Sequence, residues 1–208
     1  MDLSGWKERE RTATSIYHQH VDGGALSLTV MDIEPDVPRR FERGAWLGYA
    51  RTFAAPGALV SLDAHIIQSL PAMEFIYKYR EGSGFGYTGV LFIEWEERHC
   101  GIVSSWKEGS PTGVREASLS VKLLDEGKIR IPKRTFLQRL FKTPLQIEGF
   151  FADPYDASYR GEILRSICDN AEYDDQFPMH PLSRVRSCLR TTRETIRFAR
   201  TGAVDRSS

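Results

Sequence analysis

VSLDAHI (60–66), MEFIYKYR (73–80), YTGVLFIEW (87–95) and CGIVSSW (100–106) are the stretches that decide the fold. In the first, Val60, Leu62, Ala64 and Ile66 alternate with Ser61, Asp63 and His65. In the second, Met73, Phe75, Tyr77 and Tyr79 alternate with Glu74, Lys78 and Arg80. Successive side chains of a strand point to opposite faces, so a period of two marks β-structure. Pro71 closes the first strand, Glu81-Gly82-Ser83-Gly84-Phe85-Gly86 joins the second to the third, and Glu96 to His99 joins the third to the fourth. Parallel neighbours need a crossover longer than any of these, so the strands are expected to be antiparallel.

Outward from this centre, Ser15–His20 and Ala25–Ile33 read as a hairpin about the turn Asp22-Gly23-Gly24. Arg39 to Ala54 reads as a helix, with Trp46, Tyr49 and Phe53 at helical spacing, ended by Pro56-Gly57. A second helix opens at Ser110-Pro111-Thr112-Gly113 and ends at Gly127, with Ala117, Val121 and Leu124 as its apolar stripe. Strands followed by flanking helices give an α+β layered domain. The expected organisation is a polar N-terminal arm (1–14), an α+β core (15–127) and a basic linker with a short helix (128–152). An acidic segment plus an arginine-striped helix packed on the core (153–201) and a frayed tail (202–208) complete it.

Within this frame, Leu70-Pro71-Ala72-Met73-Glu74, Tyr87-Thr88-Gly89-Val90-Leu91 and the helix beginning Thr112-Gly113-Val114-Arg115-Glu116-Ala117 resemble the PsbP-like α/β/α sandwich group. The segments Asp153-Pro154-Tyr155-Asp156 and Phe177-Pro178-Met179-His180-Pro181-Leu182-Ser183-Arg184 resemble C-terminal segments of bacterial proteins with the same core. The fold serves a photosystem subunit, a nuclear-import factor that binds Ran, and bacterial chaperones for secreted toxins. The resemblance implies an antiparallel sheet flanked by helices, a helical C-terminal extension, and protein binding rather than chemistry.

Charge narrows the functional classes. The chain has 28 basic and 28 acidic residues and no net charge, so no global field draws it to nucleic acid or to an anionic membrane. The three cysteines, Cys100, Cys168 and Cys188, are widely spaced and form no Cys-x-x-Cys pair, which suits a reducing cytoplasm and argues against a thiolate zinc site. Met1 to Arg11 carries no apolar signal region, and no apolar run approaches the roughly 20 residues of a membrane span. The expectation is a cytoplasmic protein without cofactor, whose partner is another protein.

Charge is nevertheless sorted within the tail. Residues 153–177 hold seven carboxylates, and the stretch from His180 to Thr201 holds six arginines and one acid. Arg186, Arg190, Arg193, Arg197 and Arg200 recur at intervals of 4, 3, 4 and 3, which places them on one face of a continuous helix. Leu182, Val185, Leu189, Thr192, Ile196 and Ala199 form the docking stripe beside them. The guanidinium groups either meet a partner's anions or clasp Asp169, Glu172, Asp174 and Asp175 of the same chain. The local supply of carboxylates favours the clasp.

Other candidates carry less. His18-x-His20 places two imidazoles on one strand face, the start of a metal-dependent hydrolase site that would borrow tail carboxylates, but no complete ligand set accompanies them. His99 and Cys100, being adjacent on a strand, point to opposite faces and cannot form a dyad. Cys168 with His180 is the better thiol pairing. The Gly82–Gly86 run lies between strands and reads as a hairpin turn, not a phosphate loop, with Phe85 as an exposed contact at its tip. An anion or nucleic-acid binder acting through the arginine stripe is the third alternative.

Overall fold

The computed structural model describes residues 5–32, 37–38, 42–55, 57–81, 84–95, 98–109, 114–127 and 171–198. Its elements are β1 (Trp6–Arg11), β2 (Ser15–His20), β3 (Ala25–Asp32), α1 (Arg43–Ala54), β4 (Ala58–Ile67), β5 (Leu70–Glu81), β6 (Gly84–Trp95), β7 (Arg98–Lys107) and α2 (Val114–Asp125). A short 3-10 helix, η1 (Ala171–Gln176), and the helix α3 (Pro181–Thr195) follow. The seven strands form one sheet in the order β1-β2-β3-β7-β6-β5-β4, and every pairing is antiparallel.

Alternation divides the core into two layers. Ala72 and Ile76 of β5 face α3, with Tyr87, Leu91, Ile102, Leu182, Val185 and Leu189 in the same cluster. Met73 and Phe75 face the other way, against Trp46 and Ala50 of α1 together with Phe92. Helices therefore cover both faces of an antiparallel sheet, an α+β sandwich with a helical C-terminal element. The expected stripe of α3 is fully buried at Leu182, Val185, Leu189 and Thr192. Gly89 of β6 lies directly beneath it. A Cβ at that position would come within 2.5 Å of both Leu189 and Val185, so the missing side chain lets the helix seat on the sheet.

Several local readings shift. Residues 6–11, taken as part of a polar arm, pair with β2 as an edge strand. The turn after β4 is Gln68-Ser69, not Pro71. Pro71 is paired with Ile66 but lies beyond the last β5–β6 pair, Ala72 with Ile93, so its missing N–H disturbs nothing. Gln68 and Ser69 both have positive φ, 51° and 68°, the turn geometry that asparagine and glycine normally supply. The Gln68 side chain donates to the Ile196 carbonyl at 2.6 Å and accepts from the Phe198 N–H at 3.2 Å, so the strained turn is tied to the C-terminal segment. In α2 the buried residues include Arg115 and Leu119, whereas Val121, expected in the apolar stripe, is 60% exposed. Phe85 sits in β6, not at a hairpin tip, half-buried, with the Lys78 ammonium 4.3 Å above its ring. The expected helix at 136–141 and the acidic segment up to residue 170 lie outside the described residues.

Two outcomes follow for stability. Leu189→Ala should destabilise the fold by about 2–5 kcal/mol, the range for truncating a buried leucine, read by denaturant unfolding. Ser69→Gly should raise stability by about 1 kcal/mol, because it removes a left-handed non-glycine residue from an exposed turn; a lower melting temperature would contradict the strain argument.

Candidate functional site

The site grows from the start of α3. Pro181 occupies its first turn, where an N–H has no helical partner. His180 caps it, its Nδ1 accepting from the Leu182 N–H at 3.2 Å. The ring proton therefore sits on Nε2, which lies 3.0 Å from Glu108 Oε1 and donates to it, while the ring edge packs on Tyr87. Both nitrogens of His180 are committed, and Cys168, its suggested thiol partner, lies outside the described residues.

Three arginines then fasten the helix to different parts of the fold. Arg184 donates to Asp22 Oδ2 at 3.0 Å and lays its guanidinium over Trp106, 4.6 Å from the ring centre. Arg186 reaches Asp174 of η1 through contacts of 3.2 and 3.3 Å. Asp174 Oδ1 also accepts from Ser183 at 3.2 Å and from Arg115 of α2 at 2.8 Å. Arg115 is only 1% exposed. A buried guanidinium requires a carboxylate, so Asp174 joins α2, η1 and α3. Tyr173 beside it is buried, donates to Glu126 at 3.1 Å and lies under the Lys122 ammonium.

Arg193 donates to Glu74 of β5 and also lies 3.1 Å from His65 Nε2 of β4. An arginine has no lone pair to offer, so His65 Nε2 accepts and the ring is neutral with its proton on Nδ1. Asp63 is the cross-strand partner of Glu74 and adds a like charge directly opposite it. Burial raises the Glu74 carboxyl above the usual range, and this outweighs the lowering by Arg193. Burial, and then the Arg193 charge, lower His65.

These side chains line an open groove of about 680 Å³ between α3 and the β4–β5 border, with Arg43, Asp63, His65, Glu74, Asp174 and Arg190 among its walls. Arg190 is exposed and forms no ion pair or hydrogen bond among the described residues. Glu172 and Asp175 stand exposed on the η1 side of the same groove.

The five-arginine stripe is shorter than the spacing predicts. The helix ends at Thr195, and Ile196 is extended. The chain then leaves the helical path, and Phe198 packs on Trp95 at 5.5 Å between ring centres. Arg197 thus leaves the helical face and bonds the carbonyls of Glu194 and Ile196 at 2.8 and 2.7 Å. Arg200 and Asp169 lie outside the described residues. Arg115 and Glu74, buried ions that meet the tail, leave no apolar periodicity in the sequence, and exposed Asp22 looks there like an ordinary turn residue.

The metal alternative gains no support from the geometry. His20 packs edge-on against Trp6 and tilted against Trp106, at 5.0 and 5.1 Å between ring centres, and its Nδ1 accepts from the Asp22 N–H. Among the described residues no three His, Cys, Asp or Glu side chains converge as metal ligands. His99 packs on Phe92, while Cys100 lies in the opposite core layer. Burial pushes the Cys100 thiol up to about 11, and burial likewise raises Cys188, so neither is poised as a thiolate. No described helix is long and apolar enough to cross a membrane.

No family model matches this chain, and no curated protein matches it. Solved structures similar to it include a variant of the protein Mog1, at 11% identity over 57% of this chain and 74% of that one, TM-score 0.39. Cyanobacterial PsbP (CyanoP) from Synechocystis is similar at 14% identity over 58% and 77%, TM-score 0.35. A protein of unknown function from Pseudomonas aeruginosa is similar at 13% identity over 61% and 87%, TM-score 0.34. The PsbP-like resemblance is thus one to solved structures at low identity.

The His65 hydrogen bond carries a pH signature. A histidine lowered in the folded state contributes stability that is present above the unfolded value near 6.5 and lost as pH falls through the folded value. His65→Gln keeps an acceptor for Arg193 without the titration. The stability of the wild type relative to this variant should fall as pH is lowered through about 6.5, followed by urea unfolding at each pH; a pH-independent difference would contradict the assignment of the neutral ring.

Proposed function

We propose that the chain is a non-enzymatic protein-binding module, of adaptor, effector-chaperone or immunity type, and that the groove beside α3 receives a carboxylate-bearing segment of its partner. Arg190 carries the reading. It is exposed on the groove wall, between Arg186 and Arg193 in the chain, whose charges are spent on Asp174 and Glu74. A guanidinium held on a rigid helix is pre-organised for a bidentate contact with a carboxylate. Neighbouring titratable groups support binding over catalysis. Glu74 and His65 are both engaged by Arg193 and His180 by Glu108, and the two described thiols are pushed up by burial. Exposed Asp63 and Asp175 on the groove walls would reject a purely acidic ligand such as a nucleic-acid backbone and favour a segment of mixed charge.

Immobilised protein tests this in native lysate. The wild type should retain a stoichiometric partner that Arg190→Glu loses by roughly tenfold or more, with a melting temperature unchanged within the usual scatter for an exposed substitution. Equal retention by both, or recovery of no partner, would overturn the proposal.

A further inference from the structure

The two edges of the sheet are built differently. An unpaired strand edge is a template for another chain, and proteins guard it with charge, bulges or short length. β1 is guarded throughout: Lys7, Glu8, Arg9, Glu10 and Arg11 are all exposed, and its register breaks between Glu8 and Glu10. β4, at the other edge, runs for ten residues with Asp63 as its one formally charged side chain. Its bulge lies between Leu59 and Ser61, leaving Ser61 to Ile67 in regular register. Ala64 is exposed, and Ile66 is 75% exposed. Among the described residues β4 pairs with β5 alone.

We propose that β4 is a self-recognition edge, on which two copies of the chain join antiparallel, β4 to β4, about a two-fold axis beside Ala64. A two-fold axis normal to the sheet keeps each face on its own side, so it must pass through a residue pair. Centring it on Ala64 sets Asp63 opposite His65 of the other copy, and His65 opposite Asp63, on the α3 side. It is the one register that does so. Centring on Asp63 would oppose two carboxylates, which is destabilising. Since His65 Nε2 already accepts from Arg193, its Nδ1–H is the donor available to the incoming carboxylate. On the opposite face the same register sets exposed Ile66 against Leu62, converting an exposed apolar side chain into a cross-strand contact. The joined edges would make one continuous sheet of fourteen strands, twice the seven of a single copy.

This surface shares Asp63 and His65 with the walls of the groove but does not involve Arg190, and the test distinguishes the two contacts. Residues directly opposite in antiparallel strands have Cα atoms about 4.5–5.5 Å apart, within disulfide range. Ala64→Cys in the full chain, under mild oxidation at micromolar concentration, should therefore form a covalent dimer far faster than Val21→Cys, which places an exposed thiol on the β2–β3 turn. In sedimentation the wild type should show a monomer–dimer equilibrium that Asp63→Lys weakens roughly tenfold or more and that Arg190→Glu leaves unchanged. The swap Asp63→His with His65→Asp should restore dimerisation, because the register pairs them again. A wild type that sediments as monomer throughout, an edge used by some other chain, or cross-linking of Ala64→Cys no faster than Val21→Cys would overturn the proposal.

Discussion

The seating of α3 on β6 and β7 is the constraint on which the rest of the structure depends. Leu182, Val185 and Leu189 are wholly removed from water above Gly89, Tyr87 and Trp106. Burial of one such side chain contributes about 1.5–3 kcal/mol, so this stripe alone is comparable with the marginal stability of a small domain. A helix held so closely brings its flanking arginines down onto the protein. Each must then find a carboxylate or face solvent, and the fold supplies Asp22, Asp174 and Glu74 at three separate points.

Those three ion pairs contribute placement more than net stability. An exposed pair is worth about 0–1 kcal/mol, and a buried pair recovers little beyond its own desolvation. Their effect is to fix where the helix lies along the sheet. Asp174 illustrates this, since it gathers Arg115, Ser183 and Arg186 from two helices. With the neighbouring arginines spent in this way, Arg190 is left displayed in the groove, which ties the packing of the tail to the proposed binding surface.

Much of this architecture was legible in the sequence, for a physical reason. Alternation over 60–66 and 73–80 reports burial on two faces directly, and the Asp22-Gly23-Gly24 turn announces its hairpin through backbone chemistry. The docking stripe of α3 was equally plain from Leu182 to Thr192, and so was the opposition of His99 and Cys100. β1 escaped because charged residues that guard an edge look like those of a solvated arm. The Gln68-Ser69 turn escaped because its left-handed residues are not the usual ones; its support comes from Ile196 and Phe198, more than a hundred positions away. In α2, Arg115 is buried and Val121 of the expected stripe is exposed, because an ion-paired arginine inside the domain breaks the apolar pattern. The arginine stripe was assigned to one continuous helix, and tertiary packing of the segment after Thr195 ended that helix early.

Hydrogen exchange tests most directly the claim that α3 is an integral layer of the domain. Backbone amides in the middle of α3, from Val185 to Thr192, should be protected to the same free energy as those of β6 and β7, because the helix and sheet open together. Exchange of α3 several kcal/mol more readily than the sheet, with β6 and β7 still protected, would show that the helix detaches on its own and would contradict the account.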